Sequence, residues 1–324
     1  MMWRIAMANG FEIMDLKGVV PVINIEKVEY AVPLAQALIN GGLPLIEVTL
    51  RSETSLESIA AIHAAFPDMP IAAGTVLSPE VAKAAIDAGA GMIVAPGFQE
   101  KTVRWCVDNG VDILPGCVTP SEINMAVDMG LKSVKFFPAE QSGGLKAIEL
   151  LAGPFKGLKF VPTGGITYDN LGTYLSSSKV LACGGSFMAK ADAIRRGEWD
   201  AITQSCKRAM DLSLGFSLSH VGINHENDEE AMRAAQLLCR MFRLPVNDRP
   251  RAVFAGPYVE NMKAPSFGEK GHIGFKCNSL PRAVAWLEEQ GFAFDPDGKS
   301  YDASGNLRRA YLKDQIGGFA IHLI

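Results

Sequence analysis

The chain has 324 residues, 48% hydrophobic and 20% charged, with a formal charge of -4 at pH 7. That composition suits a well-cored globular protein of one large or two ordinary domains, and the charge gives no general electrostatic reason to expect a nucleic-acid or anionic-membrane partner. Six scattered cysteines (Cys106, Cys117, Cys183, Cys206, Cys239 and Cys277) with no Cys-x-x-Cys pair argue against a zinc ribbon or disulfide framework and suit free thiols in a reducing cytosol.

The opening "MMWRIAMANGFEIMDLKG" carries Arg4, Glu12 and Asp15, so it lacks the apolar core of a signal peptide. No apolar run is long enough to span a bilayer, and a cytoplasmic location is expected. From Val19 onward short apolar runs alternate with amphipathic stretches. The strand candidates are "VVPVINI", "LIEVTL", "IAAGTV", "MIVAPG", "DILPGC", "SVKFFPA", "KFVPTGGI" and "VLACGGSF". Helix-period segments such as "EYAVPLAQALIN" and "SPEVAKAAIDAG" separate them, several ending at a glycine, as helix C-terminal caps do. Strands alternating with helices imply parallel βαβ units. Eight of them by about residue 187 predict a compact (β/α)8 TIM barrel, closed by one last helix in "DAIRRGEWDAITQSCKRAMDL".

In such a barrel, chemistry sits at the C-terminal strand ends. In "LIEVTLR", Glu47, Thr49 and Arg51 are two apart and so share one strand face. Thr75 ends the third strand, Pro96 and Gly97 the fourth, and Thr119 follows the fifth. The sixth, "SVKFFPAE", sets Lys135 among Val134, Phe136 and Phe137. Burying an unpaired ammonium there costs several kcal/mol unless it gives up its proton, which would leave a nucleophile. Thr163, Gly164 and Gly165 in "PTGGI", with Gly185 and Ser186 in "CGGSF", close the seventh and eighth strands, where barrels often hold a phosphate. Taken singly, each feature has a plainer reading: a lysine snorkelling from a strand end, a Glu47–Arg51 structural ion pair, paired glycines as tight turns. Met125 and Met129 on one helix face read as core packing. Taken together, they predict a lysine that attacks a ketone to form a Schiff base, the electron sink for C–C cleavage. A carboxylate shuttles the protons, and arginine and threonine hold an α-carboxylate. The competing reading is a phosphosugar isomerase or epimerase that uses Glu47 as a base and needs no imine.

The pieces "PVI", "IEVTLR", "AGTVL", "APG", "KFFPAE", "PTGGI" and "GGS" occur in that order. Over residues 18–211 the chain resembles the 2-keto-3-deoxy-6-phosphogluconate (KDPG) / 2-keto-4-hydroxyglutarate (KHG) aldolase family. The resemblance implies a cofactor-free class I aldolase acting on a small keto acid, releasing pyruvate and an aldehyde, and assembled as a homotrimer or a multiple of one. It implies that Lys135 is the Schiff-base lysine and Glu47 the general acid/base. Arg51 and Thr75 would hold the pyruvate carboxylate, and Thr119 and Phe137 would line the pocket. Gly164, Gly165 and Ser186 would bind the phosphate or distal carboxylate, with Pro96, Thr163 and Gly185 completing the substrate-binding set.

Beyond the barrel, taken as residues 1–211, and a linker over 212–217, the pattern changes. "SHVGIN" precedes the helix "NDEEAMRAAQLLCRMF", and about fifty residues later "GHIGFKC" precedes "SLPRAVAWLEEQGF". A strand–helix unit headed by His-x-Gly is repeated, so a smaller α+β domain is expected over 218–324. Four of the five histidines fall there. "GHIGF" and "YLKDQIGGFAIHLI" resemble the glyoxalase/vicinal-oxygen-chelate superfamily, which implies paired βαβββ modules around a divalent metal. By position its ligands would be His220, Glu260, His272 and His322, a set able to bind zinc, nickel, cobalt, iron or manganese. Two departures are visible: His322 stands where that superfamily usually has glutamate, and "DQIGG" replaces "DPxG". A second enzyme, a metabolite-binding module and a dimerisation domain all remain open for this part.

Overall fold

The computed structural model describes residues 10–324; the first nine, which include the Arg4 weighed against a signal peptide, lie outside the described residues. The chain divides between Ser213 and Leu214 into two compact units. Among the described residues no helix is long and apolar enough to cross a membrane, and all six cysteines are free.

Unit 1 is an α/β structure. A helix that the sequence reading did not foresee, α1 (Gly10–Lys17), precedes β1 (Val19–Ile23). Strands and helices then alternate: α2 (Ala31–Asn40), β2 (Ile46–Thr49), α3 (Ser55–Ala65), β3 (Ile71–Gly74), α4 (Pro79–Asp87), β4 (Met92–Val94), α5 (Glu100–Asp108), β5 (Asp112–Leu114) and α6 (Pro120–Asp128). They continue as β6 (Ser133–Phe136), α7 (Gly144–Ala152), β7 (Lys159–Pro162), α8 (Tyr168–Leu175) and β8 (Cys183–Gly185). Six strands form one parallel sheet in the order β5-β4-β3-β2-β1-β8, and β6 and β7 form a parallel pair. Isolated parallel bridges, Gly116 to Lys135 on one side and Thr163 to Gly184 on the other, join that pair to the two ends of the six. The strands are buried nearly throughout, as a parallel sheet covered on both faces requires.

Local signals explain the helix boundaries. The Ser78 hydroxyl accepts from the Val81 amide ahead of Pro79 at the start of α4, and past its end Gly89 takes φ +107°, a conformation that only glycine adopts without strain. The last helical stretch differs from the single helix expected. It is broken into α9 (Ala191–Arg195) and α10 (Trp199–Leu214) by Gly197 at φ +66°, where a left-handed residue ends the first helix. The methionine stripe on α6 is also not core. Met125 is 42% exposed, and the buried face of that helix is Ile123 and Ala126.

Unit 2 is one eight-stranded sheet carrying two helices. Its elements are β9 (Ser217–Asn224), α11 (Asp228–Phe242), β10 (Val246–Asp248), β11 (Ala252–Ala255), β12 (Val259–Met262), β13 (Gly271–Lys276), α12 (Leu280–Glu289), β14 (Phe294–Tyr301), β15 (Leu307–Ile316) and β16 (Phe319–Leu323). The strand order β10-β11-β12-β9-β13-β16-β15-β14 reads alike from both edges: each half runs strand, helix, three strands, and its last strand lies parallel to its first. The halves meet where β9 and β13 pair antiparallel. Each half has its own core, Ala231, Ala235 and Cys239 of α11 against Val253 and Ala255, and Ala283 and Val284 of α12 against Phe294, Ala310 and Leu323.

Candidate functional site

At the C-terminal ends of the unit 1 strands lies a cavity of about 370 Å³. On β6, Lys135 sends its Nζ to within 3.0 Å of Glu47 Oε1 on β2, and the two side chains are only 7% and 4% exposed. The ammonium is therefore buried but paired. Glu47 answers its burial, and the Glu47–Arg51 pair considered from sequence does not form. Gly74 on β3 makes this possible, because a Cβ there would come within 2.3 Å of Glu47 Oε1. The Lys135 ammonium also lies 5.6 Å from the centre of the Phe137 ring.

Strand β2 ends at Thr49, so Arg51 belongs to the following turn rather than to the strand face expected. It still lines the cavity, and its Nε donates to Thr75 Oγ1 at 3.3 Å. Thr75 has φ +63°. A β-branched residue in that region is strained by about 1–3 kcal/mol, which surrounding structure must sustain. Across the cavity, Gly164 and Gly165 turn the chain with φ +95° and +83°, and the buried Thr163 hydroxyl has no hydrogen-bond partner.

Of the residues expected in a substrate site, Glu47, Arg51, Thr75, Pro96, Lys135, Phe137, Thr163, Gly164, Gly165, Gly185 and Ser186 line this one cavity. Thr119 does not. It is exposed and caps α6 through a capping box with Glu122. "TPSE" is a helix-start signal that outweighed its reading as a pocket residue. The sequence reading missed Asn24 and Glu26 beyond β1 and the α9 side chains Ala191 and Ile194, which line the same cavity. The rule that chemistry sits at strand ends, applied to β1, would have found the first two. Cys117, next to the site in sequence, is no rival nucleophile: burial, and then Glu122, push its thiol up to about 12.

Residues 11–205 match the family of KDPG and KHG aldolases. The chain belongs to that family. It is 44% identical over 206 residues to the 2-dehydro-3-deoxy-phosphogluconate aldolase of Treponema pallidum, covering 64% of this chain and 98% of the relative. It is 42% identical over 193 residues to the KHG/KDPG aldolase of Escherichia coli, covering 60% and 91%. Among solved structures it is similar to a KDPG aldolase from Legionella pneumophila with pyruvate captured as a covalent carbinolamine intermediate, at 34% identity and a TM-score of 0.61 over 62% of this chain and 98% of that one. This aldolase is thus a lyase, and unit 2, Leu214–Ile324, lies beyond the matched residues.

In unit 2 four side chains converge. His220 Nε2 lies 3.2 Å from His272 Nε2 and 3.3 Å from His322 Nε2. Glu260 Oε2 lies 3.2 Å from His272 Nε2 and 3.4 Å from His220 Nε2. The repeated His-x-Gly explains how they meet. The β9–β13 register sets His272 opposite Gly222 and His220 opposite Gly274, and a Cβ on Gly222 would come within 2.1 Å of the His272 ring. Each copy's glycine makes room for the other copy's imidazole. Burial first, then the neighbouring His272 and His220, hold the His322 imidazole down at about 3. Burial also lowers His220, against the pull of Glu260. Burial pushes the Glu260 carboxyl up, but the His272 hydrogen bond and the charges of His272, His220 and Arg309 outweigh it and hold it below the usual range. The downward shifts of His220, His322 and Glu260 all favour the deprotonated forms that metal ligands need. His225 stands apart from the cluster, bonded to Asn261.

Proposed function

We propose that unit 1 is a (β/α)8 barrel working as a class I aldolase. It would cleave KDPG to pyruvate and glyceraldehyde 3-phosphate, and 4-hydroxy-2-oxoglutarate to pyruvate and glyoxylate. The observation that carries this reading is the buried Lys135–Glu47 pair inside the cavity. The carboxylate can take a proton from the ammonium, and the freed amine adds to the substrate C2 carbonyl. Glu47 returns the proton to the carbinolamine oxygen, water leaves, and an iminium remains. Removal of the C4 hydroxyl proton then breaks the C3–C4 bond; the bonding pair moves into the iminium as an enamine, and the aldehyde departs. Protonation at C3 and hydrolysis release pyruvate and restore the lysine. Arg51 and Thr75 hold the carboxylate, Pro96 and Phe137 wall the reacting carbons, and Thr163, Gly164, Gly165, Gly185 and Ser186 receive the distal phosphate or carboxylate. An isomerase would need no lysine beside Glu47.

The test is borohydride reduction in the presence of pyruvate, followed by peptide mapping. A pyruvate-derived adduct on Lys135 is expected, with or without a chelator. Aldol cleavage that leaves no adduct and stops on chelation would overturn the imine mechanism. Exposed apolar side chains on α5 and α6, among them Val107 and Val127, support assembly as a homotrimer or a multiple of it, and the six free thiols support a cytoplasmic location.

For unit 2 the reading is a metal-binding domain of the glyoxalase-like, paired βαβββ type. Ligand atoms about 2.0–2.1 Å from a tetrahedral metal lie about 3.3–3.4 Å from one another. His220 Nε2 stands 3.2 and 3.3 Å from the His272 and His322 nitrogens, the three imidazoles fall within 4.8 Å of one another, and Glu260 Oε2 adds a carboxylate 3.2 and 3.4 Å from His272 and His220. His220, His272, His322 and Glu260 would hold zinc, nickel, cobalt, iron or manganese, which when bound supplies Lewis acidity. Elemental analysis of the intact protein, wild type against His322→Ala, tests this; equal metal contents would overturn it.

A further inference from the structure

Within the aldolase reading, we infer that Asn24 is a substrate-binding residue that recognises the C5 hydroxyl of KDPG, and so separates a polyhydroxylated phosphorylated substrate from one without that hydroxyl. The inference rests on where β1 stands. It lies between β2, which carries Glu47, and β8, which leads into Gly185 and Ser186. A substrate reaching from the reacting carbons to the phosphate turns therefore passes the end of β1. Asn24 follows directly on β1, which ends at Ile23, and it lines the cavity together with Val22.

Two of the polar side chains nearest Asn24 are engaged. The Thr49 hydroxyl donates to the Ile23 carbonyl at 3.3 Å. The Glu26 carboxylate is paired with Arg195 at 3.4 Å, which also offsets a negative charge that a phosphate would otherwise meet. Asn24 differs. Its side-chain amide has no hydrogen-bond partner among the described residues. An amide offers both a donor and an acceptor to a hydroxyl. Between the cleaved bond and the phosphate the substrate carries the C4 and C5 CH(OH) groups and one CH2; the C4 hydroxyl becomes the aldehyde oxygen, so the C5 hydroxyl is the remaining group that can use both. Hydroxyglutarate has a carboxylate at C5 and presents no such hydroxyl.

In the direction of aldol addition, the hydroxyl in question is the 2-hydroxyl of the acceptor aldehyde. The experiment compares D-glyceraldehyde 3-phosphate with 3-oxopropyl phosphate, which lacks it, as acceptors for pyruvate in the intact wild-type protein and in Asn24→Ala. Wild type is expected to prefer the hydroxylated acceptor about five- to tenfold in kcat/KM, the range of one neutral hydrogen bond. Asn24→Ala should lose that preference, its kcat/KM falling about five- to tenfold more for the hydroxylated acceptor than for the deoxy one, a selectivity change that a general structural defect would not produce. An unchanged preference in Asn24→Ala, or no preference in wild type, overturns the assignment. Borohydride trapping of pyruvate on Lys135, run on both proteins, separates this from a failure of the aldolase reading. If wild type forms no adduct, the aldolase reading falls and Asn24 with it; if both form the adduct but the preference persists, only Asn24 is refuted.

Discussion

Lys135 and Glu47 are each costly to bury alone, and each makes the other tolerable. Removing one partner of a buried pair leaves an uncompensated charge, at a cost of about 3–5 kcal/mol. Glu47→Leu is therefore expected to lower the unfolding free energy by that amount, and Glu47→Leu with Lys135→Met to recover most of it; denaturant titration reads both. Glu47→Gln retains the shape and removes the proton acceptor, so kcat should fall by about 10²- to 10⁴-fold, with slower trapping of pyruvate on Lys135. At Thr75 strain and function coincide, since its φ of +63° presents the hydroxyl to Arg51. Thr75→Ala retains the backbone strain and Thr75→Gly relieves it, so the glycine variant should be the more stable by about 1 kcal/mol. Both should raise the KM for pyruvate in the addition direction. Equal stabilities of the two variants would show that the backbone there is unstrained.

Elements decide what a residue is used for. Thr75 follows β3 directly, whereas Thr119 lies further beyond β5, and the capping box with Glu122 commits its hydroxyl to starting α6. Thr119→Ala is expected to cost about 1 kcal/mol of stability and leave kcat/KM for cleavage unchanged. A large kinetic loss would return Thr119 to the substrate site. In unit 2 the antiparallel register of β9 and β13 puts each histidine over the other copy's glycine. Gly222→Ala should therefore displace the His272 ring and lower zinc affinity at least about tenfold, the scale on which supporting contacts act on metal sites. Zinc titration of the intact protein, loaded after chelation, measures it.

At the scale of the whole molecule, two compact units carry two different chemistries, an amine–carboxylate pair in one and a histidine–carboxylate cluster in the other. Two calorimetric transitions are expected on heating. A chelator should lower one of them, since a metal that binds only the folded unit stabilises that unit by mass action, and should leave cleavage of KDPG untouched. A chelator that shifts both transitions or stops cleavage would tie the metal to the aldolase chemistry.

The sequence by itself determined the alternation of strands and helices in unit 1, its family, and the strand–helix repeat of unit 2. Hydrophobic period, glycine stops and cap residues are short-range properties that can be read within a dozen positions. It also marked Lys135, because a lysine in an apolar strand is anomalous wherever that strand packs. It misjudged features that depend on competition between neighbours: the exposed Met125 and the break at Gly197. Only the tertiary structure decided that Lys135 pairs with Glu47, 88 residues away, that Arg51 turns instead to Thr75, and that His220, His272 and His322 meet across three strands. Such distances are set by sheet order and register, which arise from packing of the whole unit and leave no local trace in the chain.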